Sequence, residues 1–79
     1  MPKVPPIKAK KLIKILLKNN FFIHHQSGSH LQIRHNTKKH IRATIPRHDR
    51  FDLPPSILLS ILKQSEITKD EILKWIKNK

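Results

Sequence analysis

Residues 21–46 read FFIHHQSGSHLQIRHNTKKHIRATIP, and this stretch decides the fold. Two clusters of turn residues, Ser27-Gly28-Ser29 and Asn36-Thr37-Lys38, divide it into three short runs. In the first run, the strand period of two turns Phe21 and Ile23 to one side and Phe22, His24 and Gln26 to the other. In the second, Leu31 and Ile33 alternate with His30, Gln32 and Arg34. In the third, Ile41, Ala43 and Ile45 alternate with His40, Arg42 and Thr44, and Pro46 ends the run. The pattern predicts a three-strand antiparallel meander with one apolar face and one face rich in His, Arg, Gln and Thr.

The flanks are helical. Pro5-Pro6 marks a helix start. Ala9, Leu12, Ile13, Leu16 and Leu17 then recur at i, i+3, i+4, i+7 and i+8, an amphipathic stripe, with Lys8, Lys11, Lys14 and Lys18 away from it. Asn19-Asn20 closes this helix, because Asn tolerates the left-handed conformation past a helix end. Leu53-Pro54-Pro55-Ser56 leads into a second helix carrying Ile57, Leu58, Ile61 and Leu62. Thr68-Lys69-Asp70-Glu71 fits a capping box, opening a third helix with Ile72, Leu73 and Ile76 on one side and Trp75 near the stripe. The order α-β-β-β-α-α predicts one α+β domain over residues 1–79, a two-layer sandwich whose helices cover the apolar face of the sheet.

Composition narrows the function. The chain has 79 residues, no cysteine, and a net charge of +12 with its six histidines neutral. Disulfide frameworks and cysteine-based catalysis or zinc binding are excluded. The longest nearly apolar stretch, Ile57–Leu62, is too short to span a membrane, and Met1–Pro6 has no leader-like apolar core; a cytoplasmic protein is expected. Residues 1–48 hold eight lysines, three arginines and no acid, so this part bears +11. Such asymmetry points to a polyanionic partner, nucleic acid foremost.

The histidines are the chemistry-bearing residues. His24, His25, His30, His35, His40 and His48 supply nitrogen, and strand parity lets His24, His30 and His40 share a face. No pair has the H-E-x-x-H spacing and no acid precedes Asp49, so no metal or cofactor is expected. Gly28-Ser29-His30 lacks the frame of a serine hydrolase, and paired-carboxylate chemistry finds no early acids. RNA brings its own nucleophile, the 2′-hydroxyl, so cleaving it needs a base, an acid and cations for the extra phosphate charge. His30 on the polar face, amid Gln32, Arg34, His40 and Arg42, has that composition, although on composition alone an exposed histidine is more often a non-catalytic phosphate contact.

Several ordered motifs resemble the HicA family, toxins of HicA–HicB toxin–antitoxin systems. The family's first helix ends in Gly-Phe, here Asn20-Phe21. Its Gln-x-Gly-Ser-His signature stands as Gln26-Ser27-Gly28-Ser29-His30, and its Val-Pro-x-His as Ile45-Pro46-Arg47-His48. Leu58-Leu59-Ser60-Ile61-Leu62-Lys63-Gln64 and Ile67-Thr68-Lys69-Asp70-Glu71 match its later helices. The likeness runs from about Lys8 to Leu73. Asn20 replaces a glycine, and Pro55-Ser56 replaces a common Gly-Thr, with Ser56 expected as the hydroxyl cap.

The resemblance implies a double-stranded-RNA-binding-domain-like fold, a ribonuclease acting on mRNA with a catalytic His30, and a HicB-type antitoxin covering the active surface. The residues themselves add the expectations that this endoribonuclease is metal-independent, with His30 as general acid or base, and that no membrane is involved. Within that frame Arg34, Arg42 and Arg47 are the expected phosphate-side cations. Gln26, Ser29 and His48 are expected to orient His30 or the RNA, and Gly28 to turn tightly and admit the RNA backbone. The alternatives are a non-catalytic RNA-binding module of the same fold, and an interaction subunit whose basic face neutralises an acidic partner.

Overall fold

Apolar periodicity and turn chemistry give α1 (Ala9–Leu17), β1 (Phe21–Ser27), β2 (His30–His35), β3 (Arg42–Pro46), α2 (Pro55–Gln64) and α3 (Lys69–Lys77). The computed structural model describes residues 4–47, 50 and 52–78. The strands form one antiparallel sheet in the order β1-β2-β3. α1 packs against β1 and α2 against β3, completing a double-stranded-RNA-binding-domain-like α+β sandwich.

α1 forms because Ala9, Leu12, Ile13 and Leu16 recur on one stripe, and all four are buried. Leu17, expected on the same stripe, is 43% exposed. At about 100° per residue it falls roughly 90° from the stripe's centre, at the edge of the contact. Pro5-Pro6 does not open the helix; Lys8 is the N-cap, with extended backbone. The segment before α1 is instead tied to the segment before α2: the Ile7 carbonyl accepts the Leu53 N–H at 2.8 Å, and the backbones of Lys8 and Asp52 form an isolated antiparallel β-bridge. At the other end the Ile15 carbonyl accepts both the Lys18 N–H at 3.2 Å and the Asn19 side-chain amide at 2.8 Å, closing the last turn. Asn20 then reverses the chain at φ 70°, and its carbonyl accepts the Asn36 N–H at 2.8 Å.

The sheet departs from simple alternation within β1. Leu31, Ile33, Ala43 and Ile45 face the helices and are buried, and Phe21 joins them. Phe22 pairs with Arg34 and Ile23 with Ile33, but His25 pairs with Gln32 and Gln26 with Leu31. A bulge at His24 supplies the extra residue. Directly paired residues share a face, so the outer side of β1 carries Phe22, His25 and Ser27. The expectation that His24 and Gln26 lie there is corrected: His24 occupies the bulge, and Gln26 turns to the helix side. Ile23, on that same side, remains 44% exposed at the sheet edge rather than entering the core.

The later helices close the apolar layer. Pro54 is the N-cap of α2, and no side chain caps it; Ser56, expected as the hydroxyl cap, lies inside the helix. Leu58, Ile61 and Leu62 are buried, whereas Ile57, expected beside them, is exposed. The end of α2 is a Schellman turn: Ile67 N–H donates to the Leu62 carbonyl at 2.9 Å and Glu66 N–H to that of Lys63 at 3.2 Å. Glu66 takes the left-handed position, φ 56°, usually given to Gly. Its carboxylate pairs with the His40 ring at 2.8 Å, linking this turn to the residue before Ile41. α3 begins with the expected capping box: Thr68 Oγ1 accepts from Glu71 N–H at 3.1 Å, and Glu71 accepts from Thr68 N–H at 3.0 Å. Ile72 beneath it is fully buried.

Burying each Leu or Ile contributes about 1.5–3 kcal/mol, in a domain whose total stability is on the order of 3–5 kcal/mol. Leu31→Ala should therefore cost about 2–5 kcal/mol through the cavity it leaves, enough to unfold the chain. Leu17→Ala should cost no more than about 0.5 kcal/mol. Thermal melting of the two variants checks this; equal losses would contradict the layer as described.

Candidate functional site

The helices cover one side of the sheet and leave the other open. Register organises that open side into three rows. Ser27, His30 and Pro46 form the first; His25, Gln32 and Thr44 the second; Phe22, Arg34 and Arg42 the third. Successive rows lie two residues apart along each strand, about 6.6 Å.

His30 is the first residue of β2 and follows a two-residue loop, Gly28-Ser29. Gly28 takes φ +57° and Ser29 does not, the sign pattern of a type II′ hairpin turn, which matches the twist of the strands it joins. A Cβ built on Gly28 meets nothing within 4 Å, so the need for glycine is conformational, and space above the loop is open. The Ser29 carbonyl accepts the Arg47 backbone N–H, stitching the loop to the end of β3. His30 is thus held by strand pairing on both sides while its side chain is exposed.

The remaining histidines divide by role. His35 Nδ1 accepts the N–H groups of Thr37 at 3.2 Å and Lys38 at 3.0 Å, building the β2–β3 turn. Its ring meets Phe21 edge-on at 5.0 Å between centroids. His40 is held by Glu66, outside the strands. His25 lies on the open face as the diagonal neighbour of His30, a relation that spans roughly 7–8 Å. Among the described residues, no three His, Asp or Glu side chains converge as metal ligands would.

The expected cations are spread out. Arg34 and Arg42 sit directly opposite each other on β2 and β3, four residues from His30 along β2, about 13 Å of strand. With Gln32, Ala43 and Thr44 they line a shallow depression. Arg47 is half-buried beside the Gly28-Ser29 loop and already engaged within the fold, so it is the arginine nearest to His30 by backbone. Gln26 is on the other side of β1, and His48 lies outside the described residues.

Strand alternation put Phe22 on the open face, where the structure has it, but missed His25, placing His24 there instead. The signal was present, however. Counting back from the Gly28-Ser29 turn puts His25 beside His30, whereas counting forward from the buried Phe21 puts His24 there. The two counts disagree by one residue, and a bulge is the way a strand absorbs one.

The family model described as HicA toxin of bacterial toxin–antitoxin matches residues 9–67 of the chain, a span that includes the whole sheet and α2. Comparison with curated proteins and with solved structures gave no match.

Because Gly28 is required for its φ and not for space, Gly28→Ala should lower stability by about 1–2 kcal/mol. A D-alanine at position 28, which favours positive φ, should restore it. Melting of the L- and D-alanine proteins tests this; equal destabilisation would locate the constraint in packing instead.

Proposed function

Since the chain belongs to the HicA family of toxins of bacterial toxin–antitoxin systems, we propose that it is a metal-independent endoribonuclease that cleaves mRNA on the open face of its sheet, with His30 as general acid–base group. The family is generally one of nuclease toxins, and an antitoxin partner comes with it. No helix among the described residues is long and apolar enough to cross a membrane. The single observation that carries the reading is an exposed histidine, fixed by strand pairing on both sides, on an uncovered basic sheet.

Cleavage proceeds by attack of the RNA 2′-oxygen on the adjacent phosphorus. The 2′-O–P bond forms, the P–O5′ bond breaks, and the products are a 2′,3′-cyclic phosphate and a free 5′-hydroxyl. One group takes the 2′-hydroxyl proton and another delivers a proton to the leaving 5′-oxygen. His30 performs one transfer. His25, diagonal to it on the same face, is the second ring placed for the other. Arg47 and the backbone N–H groups of the glycine loop offer charge to the reacting phosphate, and Arg34 and Arg42 hold a neighbouring one. Ser29 orients the loop through its carbonyl, and Gly28 leaves room for the RNA backbone. Gln26, read as an orienting group from the sequence, stands on the helix side of β1 and takes no part in this reaction, and His48 lies outside the described residues. A HicB-type antitoxin that covers the open face with acidic residues would inhibit by occupying the same surface, drawn by the +11 borne by residues 1–48.

His30→Ala should lower cleavage by about 10²–10⁴-fold while melting and RNA affinity stay close to wild type, because binding rests on Lys and Arg contacts to phosphate. Side-by-side assays of folding, affinity and cleavage decide it. A folded variant that cuts at the wild-type rate removes His30 from the mechanism. A wild-type protein that binds RNA without cutting it favours the non-catalytic module.

Cleavage should also persist in EDTA, since imidazole, arginine and the substrate's own hydroxyl supply every group that the reaction needs. Loss of activity on chelation, restored by zinc or magnesium, would overturn the metal-independent mechanism.

A further inference from the structure

The third row of the open face is unfavourable for folding in two respects. Phe22 is 40% exposed, on a face that no other element among the described residues covers. Beside it Arg34 and Arg42 are directly opposed, a like-charge cross-strand pair of the kind that destabilises a sheet. Neither feature contributes to the core, which lies on the other side of the sheet. A single exposed aromatic carries little meaning alone. Here register places it next to Arg34, and Arg34 next to Arg42, in one line across the three strands.

We propose that Phe22, Arg34 and Arg42 form a nucleotide subsite, in which an RNA base stacks on the Phe22 ring and its phosphate lies between the two guanidinium groups. This rests on the ribonuclease reading and adds a base-holding position to it. A base has a planar π-face whatever its identity, so stacking on an aromatic ring is sequence-tolerant. A phosphate neutralises the opposed arginines and turns their repulsion into shared attraction. Gln32 and Thr44, which line the depression with those arginines, place an amide and a hydroxyl where the base edge or the 2′-hydroxyl could be bonded.

The subsite is two rows from His30, so it holds a nucleotide flanking the cleaved linkage and not the cleaved one. An RNA strand running along β2 meets His30 at one end of the open face and Phe22 at the other. The chemistry favours a nucleotide over an apolar side chain from a protein: Phe22 stands exposed beside two arginines, which suits a base carrying a phosphate better than an uncharged anchor.

The test is the affinity of the full chain for a 2′-O-methylated single-stranded oligonucleotide, which lacks the attacking hydroxyl. It is paired with a strand of equal length that carries phosphates but no bases. Phe22→Leu, which keeps apolar bulk but loses the ring, should weaken binding to the base-bearing strand by about 5- to 100-fold. Phe22→Tyr should bind within about twofold of wild type. Both variants should bind the base-free strand as wild type does. Wild-type affinity in Phe22→Leu, or an equal loss on both strands, overturns the subsite while leaving the ribonuclease reading intact. Normal RNA binding by Phe22→Leu with loss of antitoxin binding assigns the ring to a protein interface and also overturns it. A wild-type chain that neither binds nor cuts RNA removes the ribonuclease reading, and the subsite falls with it.

Discussion

The β1–β2 hairpin is pinned at both ends, and the two pins disagree by one residue. At one end the Gly28-Ser29 turn pairs Ser27 with His30. At the other, the short link from α1 and the left-handed Asn20 put Phe21 into the core, with Asn20 bonded back to Asn36. Neither pin can yield cheaply: slipping the turn would move a positive φ onto a residue with a Cβ, and slipping Phe21 would remove a large side chain from the core. The strand yields between them, at His24. Which side chains stand on the open face follows from that compromise.

The two faces of the sheet are energetically separate. The inner face, with α1, α2 and α3, carries the apolar burial, the Schellman turn, the capping box and the His40–Glu66 pair. The outer face carries exposed His25 and His30, opposed arginines and an uncovered phenylalanine. Stability is supplied on one side, so the other tolerates an arrangement that favours a bound polyanion over the free protein. The charge follows the same division: the acids all fall at or after Asp49 in the sequence, so no strand carries a carboxylate to neutralise its cationic side chains.

The histidines show how far chemistry can be read from residue type. Six are present, and composition treats them alike. In the fold His35 organises a turn through Nδ1, and His40 answers the carboxylate of a strained Glu66. His25 and His30 share the open surface. The same side chain serves a local turn in one place and a long-range ion pair in another, and faces solvent in two others, and only position distinguishes them.

The sequence by itself determined the layers. Periods of 3.6 and 2 located the helices and strands, and the Thr68-Glu71 box and the left-handed Asn20 were legible because caps and turns are decided by a few adjacent residues. His30 was also legible as outward-facing, since it follows a turn whose glycine fixes the register and alternates with Leu31 and Ile33. Tertiary structure decided what periodicity cannot. Leu17, Ile23 and Ile57 carry the right pattern yet lie partly outside the core, because burial depends on how far a neighbouring layer extends. The exchange of His24 for His25 on the open face, and the alignment of Phe22 with Arg34 and Arg42, depend on pairing between strands. Alternation within one strand fixes parity only until an extra residue is inserted, and where that residue goes is settled by the partner strand and the core together.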